Sequence, residues 1–182
     1  MSAADLLRDV VRALDAAAVP YMLVGSFASA SHGAPRATQD IDVVIDPTPE
    51  ALDRFIAAFD SDRTYVSPSA QAALTRRDQF NLIDTTTGWK VDLIIRRDRP
   101  FSLAEFARRR QARMLGVEVC VASAEDTVLA KLEWAASGES DRQVADAAAV
   151  LAVGADALDH DYLDHWAAEL GITELLARAR RG

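Results

Sequence analysis

The 182-residue sequence has one cysteine, Cys120, which excludes an internal disulfide framework. Cys120 lies in the alternating run VEVCV, where a small buried hydrophobe is expected. The longest apolar runs are only strand-length, so no segment is expected to span a bilayer. The opening, MSAADLLRDVVRAL, is acidic and amphipathic and lacks a signal peptide's basic start and apolar core. A cytoplasmic protein with no membrane partner is therefore expected. Basic residues are outnumbered, 20 Lys and Arg against 28 Asp and Glu, giving a net charge of −8. That balance argues against non-specific coating of DNA or RNA. The three histidines, His32, His160 and His165, show no metal-ligand spacing with one another or with the cysteine. Internal repeats and low-complexity linkers are also missing.

The charge that is present is unevenly placed. Residues 63–113 hold 11 basic and 5 acidic side chains, whereas 1–62 hold 4 and 10 and 114–182 hold 5 and 13. The basic middle reads either as solvated helix surface or as a face for the phosphates of a nucleotide or RNA. Half of the residues are hydrophobic, which at this length supplies one well-buried domain with room for a helical appendix.

Periodicity predicts a helix over 2–18, started by a Ser2/Asp5 capping box and striped by Leu6, Leu7, Val10, Val11 and Leu14. A strand over Tyr21–Val24 follows Pro20, then the Gly25-Ser26 turn, a short helix over Phe27–His32 and a second strand over about Ile41–Ile45. Thr48–Phe59 reads as a helix, and residues 60–78 as a strand near Tyr65 and a short helix near Ser69–Thr75. Phe80–Asp84 and Lys90–Ile95 form an expected hairpin through TTTGW. Phe101–Arg109 is helical or loop-like, and Arg113–Val121 a strand interrupted near Gly116. Helices fill the last third, with Ser123/Asp126 and Ser140 as caps and with Trp134 and Trp166 on packing faces. The expected class is α/β (α+β): a small mixed sheet flanked by helices over 1–121, and a C-terminal helical part, 122–182, packed on it.

Three features carry chemistry. Gly25-Ser26 follows an apolar strand, where glycine lets the backbone approach a ligand. Asp40 and Asp42 are two apart on a strand and so share one face, with Ile41, Val43 and Ile45 on the other. Asp92 stands in the apolar strand WKVDLIIR, a costly place for a carboxylate unless it is solvated, hydrogen-bonded or bound to a cation. Three carboxylates on neighbouring strands suit Mg²⁺, which prefers oxygen ligands. Two such ions can assist phosphoryl transfer at the attacking and leaving oxygens. Trp89, beside the turn glycine Gly88, is a candidate for stacking on a base. His32 is either a turn residue or a substrate contact.

A Gly-Ser turn after a strand, an apolar-flanked Asp-x-Asp after about a dozen residues and a distant third Asp in a strand resemble the DNA polymerase β-like nucleotidyltransferase superfamily. The run LVGSFASASHGAPRATQDIDVVID is similar to bacterial abortive-infection-type nucleotidyltransferases, often encoded in toxin–antitoxin pairs. Their Gly-x-Arg-x-Thr-x-Asp-hydrophobic-Asp stretch is matched over Pro35–Asp42, without a glycine directly before the proline. Lys131, Asp141, Arg142 and Asp146 match a second motif, and the resemblance covers about residues 5–152. It implies that Asp40 and Asp42 hold two Mg²⁺ ions, and that Asp92 ligates the catalytic one and accepts the acceptor's proton. Gly25 and Ser26 would bind the triphosphate of an NTP, with Lys131 neutralising phosphate charge. Arg36 and Thr38 would contact phosphate or brace the metal loop. The implied reaction is Mg-dependent transfer of NMP to a hydroxyl of tRNA, protein or a small molecule, with a cognate toxin or antitoxin as a further partner. The residues alone leave other readings: Lys131 as a surface lysine, and Asp141, Arg142 and Asp146 as an ion-pair network. Two whole-protein alternatives are a non-catalytic antitoxin or regulatory partner with this fold, and a DxD glycosyltransferase, which leaves Gly25-Ser26 unexplained.

Overall fold

A computed structural model describes residues 2–35, 38–59, 62–138, 140–155 and 157–182. The chain runs α1 (Ala3–Ala16), β1 (Tyr21–Leu23), α2 (Gly25–Ser31), β2 (Asp40–Ile45), α3 (Pro49–Ala57), β3 (Thr64–Val66), α4 (Ala70–Arg76), β4 (Gln79–Asp84), β5 (Lys90–Ile95), α5 (Pro100–Ala107), β6 (Arg110–Met114), β7 (Val117–Val121), α6 (Ala124–Gly138), α7 (Asp141–Gly154), α8 (His160–Glu169) and α9 (Thr173–Arg180). The strands form one mixed sheet in the order β3-β4-β5-β2-β1-β7-β6. β2 and β5 pair in parallel, as do β1 and β7, and the other neighbours are antiparallel.

One face of the sheet is sealed by α1, α3 and α4. Ile41, Val43 and Ile45 of β2, Val91, Leu93 and Ile95 of β5, and Phe80 and Leu82 of β4 meet Leu7, Leu14, Leu52, Phe55 and Ala73 there. Strict alternation of buried and half-buried residues along β2 and β5 turns Asp40, Asp42 and Asp92 to the opposite face. The α6–α9 helices build a second core from Val128, Leu132, Ala147, Leu163 and Leu176 with Phe101. Local signals set the helix starts: Ser2 and Asp5 form the capping box of α1, and the Thr48 hydroxyl accepts from Ala51 N–H at α3.

Several expectations are corrected. The segment 113–121 is the end of a hairpin, not an interrupted strand, because β6 and β7 are joined by Leu115-Gly116 with both φ values positive. That is the handedness of a type I′ turn, and leucine at its first central position hides it from a sequence reader. The second helix begins at Gly25 rather than Phe27, so the glycine belongs to its first turn. Trp134 is 64% exposed, whereas Trp166 packs into the helical core. Trp89 is half-buried and packs against the main core. Cys120 is half-buried, and among the described residues the Ser140 side chain makes no cap hydrogen bond. Much of the basic middle is engaged within the chain: Arg96 with Asp46 at 3.0 Å, Arg99 with Glu133, Arg108 with Glu125 at 3.3 Å and Arg113 with Glu118 at 3.2 Å.

A buried polar network between α5, α6 and α8 has no counterpart in the sequence expectations. Ser123 and Asp126 cap α6 as expected, but both are fully buried, and Asp126 also accepts from the Tyr162 hydroxyl at 2.6 Å. The Arg108 guanidinium lies 3.9 Å over the Tyr162 ring, and Glu105 is buried beside them. Burial, then the Asp126 charge, pushes the Glu105 carboxyl from 4.5 up to about 8, with Glu133 adding to the shift and Arg99 opposing it. The folded state therefore holds a proton that the unfolded chain releases. Its stabilising effect is complete below pH 4.5 and lost as pH rises through about 8. Urea unfolding should show wild type losing about 2–3 kcal/mol between pH 6 and 9, a slope that Glu105→Gln removes.

Candidate active site

The parallel register of β2 and β5 sets Asp42 directly beside Asp92, and Asp40 beside Lys90. Three carboxylates and one ammonium thus occupy adjacent positions on one face. The Asp40 side chain is 51% exposed and that of Asp92 only 13%. Asp92 Oδ2 accepts from Lys90 Nζ at 2.9 Å, while its Oδ1 is buried with no hydrogen-bond partner among the described residues. Lys90 Nζ also lies 3.6 Å from Asp40 Oδ1. Burial foremost, then Asp92 and Asp40, raises the Asp42 carboxyl from 3.8 to about 6, against the opposing pull of Lys90 and Lys131. Like charges packed this closely destabilise the fold, and a divalent cation would relieve them.

Gly25 forms the wall on the other side of Asp42. Its φ is +62°, and a Cβ there would stand 2.1 Å from Asp42 Oδ2 and 2.9 Å from Cγ. Both the left-handed backbone and the close approach require glycine. Val24 N–H donates to the Asp42 carbonyl at 3.0 Å, tying the start of α2 to the carboxylate strand, and within α2 the Ser29 hydroxyl donates to the Gly25 carbonyl at 3.1 Å. Ser26 is buried in this first turn. Thr38 braces the strand entry: its hydroxyl accepts from Asp40 N–H and donates to the Asp40 carbonyl, both at 3.2 Å. Arg36 lies outside the described residues. His32 is anchored through its ring Nε2 to the Ala122 carbonyl at 2.8 Å, a bracing contact between α2 and the sheet end.

Lys131 is no surface lysine. It is 5% exposed, meets Asp146 Oδ2 at 3.0 Å and Gln143 Oε1 at 3.4 Å, and lies near enough to Asp42 to favour its charged form. Asp141 instead makes an exposed pair with Arg178, away from Lys131. A recess of about 150 Å³ lined by Ser29, Ala34, Pro35, Asp146 and Ala149 opens between α2 and α7. A larger one of about 400 Å³, lined by Arg12, Ala16, Phe59 and Arg63, lies between α1 and α3, on the sheet face opposite the carboxylates.

The residues fit a hard divalent cation: oxygen donors, a buried carboxylate oxygen without a partner among the described residues, and a raised carboxyl beside it. No three His, Cys, Asp or Glu side chains among the described residues are already closed around one ligating point. Lys90 supplies the local positive charge instead. It is the site residue that sequence reasoning passed over, although the alternation that placed Asp92 also places Lys90 on the same face two residues earlier.

No protein-family model matches the chain, and no curated protein matches it. Solved structures do. The antibiotic-resistance factor ANT(2'')-Ia, in complex with adenylyl-2"-tobramycin, is 15% identical with a TM-score of 0.63, covering 98% of both chains. An antigenic nucleotidyltransferase-like protein from Paracoccidioides brasiliensis is 17% identical with a TM-score of 0.58, covering 97% of this chain and 92% of the other. The lincosamide antibiotic adenylyltransferase LnuA, lincomycin-bound, is 11% identical with a TM-score of 0.55, covering 84% of this chain and 98% of the other. The chain therefore has the nucleotidyltransferase fold.

The contact between Gly25 and Asp42 is directly testable. Gly25→Ala should cost about 2–4 kcal/mol in urea unfolding, from backbone strain plus overlap. In an Asp42→Ala background, where the overlapping carboxylate is gone and only the 3.2 Å contact to the residue 42 Cβ remains, the same change should cost only about 1–2 kcal/mol, chiefly the backbone strain.

Proposed function

We propose that this protein is a nucleotidyltransferase that moves an NMP group from an NTP to a hydroxyl. The carrying observation is the register that sets Asp42 against Asp92, beside a glycine pressed onto Asp42. The core over 1–121 supplies the carboxylates, and the helical part over 122–182 brings Lys131. Asp40, Asp42 and Asp92 would hold Mg²⁺, two ions in the full assembly. Bound there, the metal would offset triphosphate charge and make the acceptor hydroxyl more acidic.

The chain's own groups do the rest. The backbone at Gly25 and Ser26 receives the triphosphate, close to Asp42 because no Cβ intervenes. Lys131, steadied by Asp146, offsets phosphate charge, Thr38 braces the start of the carboxylate strand, and Arg36 is a further candidate to contact phosphate. Asp92 takes the acceptor's proton as the hydroxyl oxygen bonds to the α-phosphorus. The bond from that phosphorus to the bridging oxygen breaks, and pyrophosphate leaves.

A small hydroxylated molecule is the favoured acceptor. ANT(2'')-Ia and LnuA, crystallised with an adenylylated aminoglycoside and with lincomycin, match this chain over nearly their whole length. A second reading, a cytoplasmic toxin–antitoxin component acting on tRNA or protein, draws on the similarity of the Pro35–Asp42 and Lys131–Asp146 motifs. The Lys131–Asp146 pair across α6 and α7 supports that motif match. The catalytic reading is favoured over a non-catalytic antitoxin because all three carboxylates share one face.

Incubation with labelled NTPs, Mg²⁺ and separate pools of aminoglycosides, lincosamides, total RNA and lysate protein tests both readings. Label should enter one pool, and Asp40→Ala or Asp92→Ala should reduce it by about a hundredfold or more, as for loss of a group stabilising transition-state charge. Identical behaviour of wild type and both variants in every pool would sink the enzymatic reading. Lys131→Met, combined with Asp146→Asn so that no buried carboxylate is left without its partner, should slow transfer about tenfold or more while the protein stays folded.

A further inference from the structure

We propose that Lys90 is a tethered cation that holds the carboxylate site in the metal-free protein and must give way before a divalent ion can occupy Asp92. The inference rests on the metal-site reading above and adds a residue to it. Backbone pairing leaves Lys90 little choice of neighbourhood: it stands opposite Asp40 across the parallel β2/β5 pair and two residues before Asp92 on the same face. Its ammonium reaches both carboxylates, at 3.6 and 2.9 Å. The side chain is 32% exposed, so its four-carbon stem has a path out of the site.

An ammonium at hydrogen-bond distance from Asp92 Oδ2 uses an oxygen that a metal would need. A divalent ion beside it would also face a positive charge a few ångströms away. With three carboxylates and one ammonium, the cluster carries two net negative charges, enough to balance one divalent ion. A second ion then depends on charge brought in by nucleotide phosphates. Lys90 thereby couples full metal loading to arrival of the NTP, while keeping the metal-free fold from carrying three unopposed carboxylates.

Mn²⁺ binding without nucleotide, followed by electron paramagnetic resonance, tests this apart from turnover. Lys90→Met should bind Mn²⁺ about tenfold tighter than wild type. Lys90→Arg, which keeps the charge, should stay within about threefold of wild type, within the ordinary context-dependence of such charge contacts. In EDTA, Lys90→Met should melt below wild type, and Mn²⁺ should raise its melting temperature more than that of wild type. If Mn²⁺ binds wild type, is lost in Asp92→Asn and binds Lys90→Met no tighter, the Lys90 inference fails and the metal reading stands. If no variant binds Mn²⁺ saturably, both fail.

Discussion

Repulsion between Asp42 and Asp92 is the constraint on which the rest of the site depends. Parallel pairing of β2 and β5 puts these carboxylates side by side in a poorly solvated place. Two such charges are tolerated only if positive charge or a proton is supplied nearby. Lys90 meets this need from the same strand, and Lys131 from α6. The apolar face behind them, sealed by α1, α3 and α4, provides the rigid backing that keeps the carboxylates from drifting apart.

The sheet order shows how that backing is assembled. β2 and β5 are internal strands, each hydrogen-bonded on both edges, so their positions are held from either side. β1 delivers Gly25 immediately after Leu23 and Val24, next to β2, where its backbone can abut Asp42. The helical part closes the other side. α6 packs on both α2 and α7, and Lys131 sits at that junction with its charge buried and paired. Breaking a buried pair of this kind costs more than making it returns, so Lys131 and Asp146 act as one unit.

The basic middle of the chain illustrates how composition can mislead. Its surplus of arginines suggests a phosphate-binding surface, yet Arg96, Arg99, Arg108 and Arg113 meet acidic partners within the chain, several of them far along the sequence. Glu105 and Asp126 form the mirror case. Asp126 reads as a helix cap and Glu105 carries no signal at the sequence level, but the packing of the chain around α5, α6 and α8 encloses both. Exposed local signals such as charge runs carry no information about such long-range pairings.

Short-range physics made much of this protein legible from its residues alone. The Ser2 and Thr48 caps, the alternation that faces Asp40 and Asp42 together, the β4/β5 hairpin through Gly88 and the helical last third all follow from spacings of a few residues. The hairpin at Leu115-Gly116 did not, because its backbone conformation is imposed by strand pairing rather than requested by its residues. Only the tertiary structure decided that Asp92 stands beside Asp42, that Lys90 lies between Asp92 and Asp40, and that Gly25 is there to leave room for Asp42. Periodicity says which face a side chain takes. Which charges meet across strands depends on register, and register is set by the packing of the whole sheet.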